Sequence, residues 1–243
     1  MIGIAHLLVA AALASSTLAA GPADVLERFD LLDRDVREGR IDPVQARARM
    51  TALHADLRAR YPLRKGAAGT PVFPVGGYGL RDVGGRHGSG FVPNGYRYYD
   101  GPRHGGHPAH DIFIRDTDRD TLDDATSRPV PVYAFVGGTV VGIERDWRPE
   151  PATRGGNHVW LLADSSDVYY CYAHLASVEV APGKRVAAGE RLGTVGRSGK
   201  NAYPRRSPTH LHFMALAFDG GAMTPVDTFR DLQRALKSPP SAE

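Results

Sequence analysis

The chain has 243 residues, 42% hydrophobic and 23% charged, enough for one or two domains around a sizeable core. A formal charge of +3, with no dense basic tract interleaved with aromatic residues, argues against nucleic acid as a partner and suits weak attraction to anionic polymers. The single cysteine, Cys171, excludes an intramolecular disulfide and reads as a buried, inert thiol within a run of tyrosines.

Residues 1–20 are apolar, with Leu7 to Ala14 as a hydrophobic centre and the small residues Thr17 and Ala19 placed for cleavage. They read as a signal peptide, because the apolar run falls short of the ~20 residues of a spanning helix. No later run is long enough to cross a bilayer, so no transmembrane segment is expected after cleavage. Residues 21–62 form a helical N-terminal extension. Val25, Phe29, Leu32 and Val36 recur at helical spacing, and Gly39 to Pro43 breaks the pattern. Asp42 is placed to cap a second helix with Pro43 in its first turn, running to Arg60 and ended by Tyr61-Pro62. Such a hairpin cannot bury both faces alone. It should dock on the main domain or a partner, as a prodomain or as a structural extension.

Residues 63–237 form the main domain, which begins Gly-rich. Phe73-Pro74-Val75 reads as an opening strand, and Tyr96, Tyr98 and Tyr99 either wall a cleft or pack a core. His107 and Asp111 lie four apart, on one side of an extended segment or a helical turn, and Ile112-Phe113-Ile114 anchors them. Next comes an acidic loop. Asp116, Asp118 and Asp120 place oxygens on one side of it, as a structural calcium (Ca2+) site does, although Thr121 and Ser127 stand where an EF-hand needs Gly and Glu.

From Val130 to Phe218 short β-branched and aromatic runs separated by turns predict antiparallel strands, notably 130–136, 139–143, 158–162 and 168–172. His174 follows the last of these. His210 and His212, two apart, share one face of a strand, while Leu211 and Phe213 point into the opposite layer. A closing helix is expected over 225–237, with Val226, Phe229, Leu232 and Leu236 at helical spacing; residues 238–243 form a frayed tail.

The motifs His107-x3-Asp111, Tyr172-Ala173-His174-Leu175 and His210-Leu211-His212-Phe213, in that order, resemble the lysostaphin/LytM-type zinc metalloendopeptidases, which cut peptide cross-links of bacterial peptidoglycan. The likeness runs from about Phe73 to Phe218 and takes in Pro131 to Ala134, Gly137 to Val140 and the turn-rich Gly183 to Gly193. It implies a mainly β fold, an antiparallel β-sheet LytM-like peptidase domain with an N-terminal helical hairpin and a short C-terminal helix. It further implies one zinc ion (Zn2+) held by His107, Asp111 and His212, with His174 and His210 as catalytic histidines. The implied partner is the peptide stem of peptidoglycan, met in the periplasm or cell envelope. Two positions depart from the family pattern: Ala109 stands where Gly is usual, and Ser207-Pro208-Thr209 follows a bulky, basic 202–206 segment where a small pair is common. These put the particular bond cleaved in doubt.

His110 should face away from the metal, and His104 and His158 read as surface or loop histidines. Two rival readings share these residues. Two histidines and a carboxylate also serve non-haem Fe(II) oxygenases, although those usually space the first pair His-x-Asp/Glu. A catalytically inactive peptidoglycan-binding or amidase-activating module is the other.

Overall fold

A computed structural model describes residues 24–66, 69–150 and 154–236. The expected signal peptide and tail lie outside them. Helices α1 (Val25–Arg37) and α2 (Pro43–Arg60) form the hairpin. Asp24 and Asp42 accept hydrogen bonds from first-turn amides, so both helix starts are capped by carboxylates suited to the positive end of a helix dipole.

The strands are β1 (Ala109–Phe113), β2 (Leu122–Asp123), β3 (Arg128–Pro129), β4 (Pro131–Tyr133), β5 (Gly138–Glu144) and β6 (Asn157–Ala163). They continue with β7 (Val168–Val178), β8 (Arg185–Val186), β9 (Arg191–Val195), β10 (His210–Asp219) and β11 (Ala222–Pro225). The main sheet is antiparallel in the order β1-β10-β7-β6-β5-β8; β11 pairs with β10, and β9 bridges β7 and β4. The acidic loop closes on itself as the small β2-β3 pair.

Alternation along the central strands gives the sheet two apolar faces. Leu211 and Phe213 of β10 pack into one core with Tyr172, Leu161 and Leu192. Met214 and Leu216 point the other way, into a second core with Trp160, Tyr169 and Cys171. The hairpin closes that second core. Phe29 stacks on Tyr169 with ring centroids 5.8 Å apart and meets Trp160 edge-on, a burial worth about 2–3 kcal/mol for such a side chain. Arg58 of α2 ties the far end down, donating to the Asp167 carboxylate and to the carbonyls of Ala163 and Ser166.

Two expectations change. Phe73-Pro74-Val75 forms no strand: Val75 makes only an isolated bridge to Val132, since Pro74 has no amide to donate to a ladder. The closing helix, α3 (Phe229–Ala235), is shorter than expected, because Pro225 still belongs to β11 and the Asp227 carboxylate accepts the Phe229 amide to turn the chain.

Candidate metal centre

Pairing of β1 with β10 sets Asp111 directly opposite His212. His107 arrives just before β1, fixed by reciprocal backbone hydrogen bonds with Val92 of 2.7 and 2.8 Å. The three side chains converge. Asp111 Oδ1 lies 3.2 Å from His107 Nε2 and 3.0 Å from His212 Nδ1, and one ligand atom of each residue lies within 4.8 Å of the others. His107 Nδ1 is 2.8 Å from the carbonyl of Gly90. A carbonyl can only accept, so the proton sits on Nδ1 and the Nε2 lone pair is left for a ligand.

His174 and His210 stand beside this group, their ring centroids 5.0 Å apart, and His174 is 5.4 Å from the ring of His212. Both follow the same tautomer logic. His174 Nδ1 donates to Ser198 O and His210 Nδ1 to Pro208 O, each at 2.8 Å, so both keep Nε2 free. His210 Nε2 lies 3.7 Å from Asp111 Oδ2. His174 is not at a strand end as expected: β7 continues to Val178, and His174 sits beside a register shift with φ at 67°, a left-handed conformation that few non-glycine residues adopt.

Electrostatics separate the roles. Burial alone would raise the Asp111 carboxyl, but hydrogen bonds from His107 and His212 overcome it and hold the group far below the usual carboxylate range. His107 is raised, first by its hydrogen bond to Asp111. His174 is pushed well below the usual imidazole value by burial and then by the neighbouring His210 and His212; His210 is lowered by burial against the pull of Asp111. These two rings are therefore neutral near pH 7.

The acidic loop proves to be a brace. Asp116 is buried and its carboxylate accepts the amides of Asp120 and Thr121 and the hydroxyl of Thr209, next to His210. Asp118 and Asp120 accept amides within their own turn. Although the three carboxylates are close together, their oxygens already serve these turns, and structural calcium is not supported. Arg119 reaches the carbonyl of Arg205, while Arg197 holds the carbonyls of Pro204 and Ser207 and the Thr209 hydroxyl. The basic 202–206 rim is thus pinned on both sides.

A cleft of about 340 Å³ contains the metal group and extends under α1, whose Asp33, Val36 and Arg37 line it with Tyr96 and Tyr98. The tyrosines both wall the cleft and pack: Tyr98 is buried and donates to Asp33, and Tyr99 donates to Gly221 O. His110 faces the opposite layer, as expected, with Nε2 2.9 Å from Asp227. His104 lies on a loop at the cleft mouth, packed edge-on against Tyr96. His158 corrects the surface reading. It is 2% exposed, on β6, and its Nε2 is 3.4 Å from Asp33, itself 3% exposed. Two signals in the sequence point to this pair: His158 alternates with Trp160 and Leu162 on an apolar strand face, and Asp33 sits four residues from Phe29 on the apolar stripe of α1.

Residues 118–225 match the model of Peptidase family M23; the match takes in His174, His210 and His212 and begins after His107 and Asp111. No curated protein matches the chain. Among solved structures it is similar to a putative glycyl-glycine endopeptidase LytM from Ruminococcus gnavus, at 21% identity and TM-score 0.48, over 78% of this chain and 72% of that one. It is similar also to the catalytic domain of lysostaphin from Staphylococcus simulans, at 24% identity and TM-score 0.38, over 53% and 80%. A zinc-containing peptidase from Vibrio cholerae aligns at 21% identity and TM-score 0.42, over 66% of this chain and 40% of that one. The family match covers the strands that carry three of the five site residues, so over residues 118–225 the β-domain is similar to peptidase family M23.

Proposed function

We propose that this protein is a zinc-dependent endopeptidase that hydrolyses peptide bonds in peptidoglycan cross-links with a metal-activated water. The convergence of His107, Asp111 and His212 within 4.8 Å, with two further imidazoles beside them, is the observation that carries this reading. The donor set fits zinc: two neutral nitrogens and one carboxylate, with the His107 tautomer already fixed by Gly90. Bound zinc would supply the Lewis acidity that acidifies a water and polarises an amide carbonyl.

The remaining steps belong to the chain. Asp111 stays ionised, so its carboxylate would hold the ion together with His107 and His212. His174 and His210, held neutral by burial, each present an unprotonated Nε2. One takes the proton of the attacking water. That proton passes on to the departing amine nitrogen, and the other ring, taking up a proton from solvent as negative charge develops on the amide oxygen, stabilises that charge. The basic 202–206 rim and the α1 wall confine an extended peptide in the cleft between them. An address in the periplasm or cell envelope follows from the signal-peptide reading and from the polymer proposed as substrate.

The test is elemental analysis of the purified chain, followed by digestion of sacculi and defined muropeptides with mass spectrometry of the fragments. One zinc per chain and new amino termini within cross-links are expected. Sacculus binding without fragment release by the zinc-loaded chain would instead favour the non-catalytic module, and an activity that needs iron and is lost when oxygen is excluded would favour the oxygenase.

A further inference from the structure

We infer that Asp33 of α1 and His158 of β6 are positioning residues for His174, acting through the Gly155-Gly156 turn; the inference rests on the catalytic reading of His174 proposed above. The path begins at a fixed carboxylate. Arg37 Nε donates to Asp33 Oδ2 at 2.7 Å, and the Tyr98 hydroxyl donates to Oδ1 at 3.1 Å. Asp33 Oδ2 then faces His158 Nε2 at 3.4 Å. With one edge of its ring set by this anchor, His158 donates from Nδ1 to the carbonyl of Gly156 at 2.8 Å.

The turn so held makes two contacts that decide where His174 points. The carbonyl of Gly155 accepts the His174 amide at 2.9 Å, fixing its backbone. Gly156, with φ at 65°, lies so close to the next loop that an added Cβ would come within 2.3 Å of the Ser198 carbonyl carbon. The Ser198 carbonyl is the group that receives the His174 Nδ1 proton. Gly199 closes the stack, since a Cβ there would meet His174 Nδ1 at 3.0 Å. Asn157 secures the same loop, its amide donating to the Ser198 hydroxyl oxygen, while that hydroxyl donates to Leu175 O.

Both groups that fix His174, one on its amide and one on its ring, are therefore seated on the turn that His158 holds. His174 needs such support because its left-handed backbone is imposed from outside. If the turn shifts, the Ser198 carbonyl no longer selects the Nδ1-protonated tautomer, and the Nε2 lone pair facing the cleft is lost from part of the population. Asp33 is buried among Arg37, Tyr98 and His158, and a buried ion pair is by itself weak evidence for stability. Its placement on the apolar face of α1 is accounted for by the ring it orients.

The test reads the His174 tautomer in the metal-free protein by long-range proton–nitrogen NMR, with the signal assigned by its loss in His174→Gln. Wild type should show Nδ1 protonated. His158→Ala should show a mixture of tautomers, and in the zinc-loaded enzyme a kcat lower by roughly ten- to a hundredfold with KM and zinc content unchanged. His158→Asn, whose amide nitrogen falls near the position of Nδ1, should restore the tautomer and most of the kcat. A wild-type tautomer in His158→Ala, or an Asn variant no better than the Ala variant, overturns the inference. Should His158→Ala fail to fold, Asp33→Asn decides: a mixture of tautomers supports the path, and a wild-type spectrum refutes it. The spectrum needs neither metal nor substrate, so a chain that cuts no peptidoglycan refutes the proposed activity without deciding this outcome.

Discussion

Asp111 and His212 are direct cross-strand partners, and the Oδ1 of one lies 3.0 Å from the Nδ1 of the other. The proposed ligand set is thus built largely into the ladder joining β1 and β10, with His107 added from the preceding turn. Replacing Asp111 or His212 by Ala should abolish zinc binding and reduce hydrolysis to background, as read by elemental analysis and muropeptide digestion. Chelation of the wild type should lower its melting temperature, because a ligand present at a hundred times its Kd stabilises by about 2.7 kcal/mol. Full zinc content in His212→Ala would sink the assignment.

Removing His174 or His210 should have the opposite signature. Each variant should retain zinc while kcat falls roughly 10²–10⁴-fold, the usual contribution of a proton-transfer group. Measuring metal content and turnover on the same preparation separates these histidines from the ligands.

Asp30 gives a pH dependence of stability whose sign is fixed. Burial beside the sheet, against a hydrogen bond from the Ile143 amide, raises its carboxyl from 3.8 to about 6. The folded chain therefore binds this proton more tightly than the unfolded chain. The group costs nothing below the unfolded value, destabilises progressively as pH rises toward about 6, and exerts its full penalty above that. Asp30→Asn should melt as wild type does at pH 3.5 and be more stable at pH 8. The expected gain is about 1 kcal/mol once screening of a partly exposed carboxyl is allowed for. A gain that is largest in acid would contradict the assignment.

Thr209 carries a buried hydroxyl that donates to Asp116 and accepts from Arg197. Thr209→Val keeps the shape and takes one hydrogen bond from each of these charged partners, so it should destabilise by about 1–3 kcal/mol in urea unfolding. Millimolar calcium should leave the melting temperature of the wild type unchanged, because the Asp116 oxygens are already engaged by the loop amides.

The five residues that gather in the cleft stood out in the sequence because each motif is local: a pair four apart, a histidine after a strand-like run, two histidines on one strand face. The helical hairpin was legible for a similar reason, from the spacing of Phe29, Leu32 and Val36 and from Asp42-Pro43. What escaped depends on contacts between distant segments. The partnership of Asp33 with His158 spans more than half the described chain; local spacing marks each residue as buried, but does not say that they meet. The acidic loop misled through its alternation, since turn-forming aspartates and calcium ligands share that pattern until their oxygens are assigned. The Phe73 segment looked like a strand from its residues and does run antiparallel to β4, but Pro74 has no amide to return the hydrogen bond from Tyr133, so the pairing stops at one bridge.

The shared core has a practical consequence for anyone trimming the gene to a minimal catalytic fragment. Cutting at the Gly-rich stretch would strip the cover from Trp160, Tyr169 and Leu216, leaving a broad greasy surface in water. Such a fragment should precipitate during expression, and an inactive pellet would say nothing about the chemistry of a chain that keeps its helices.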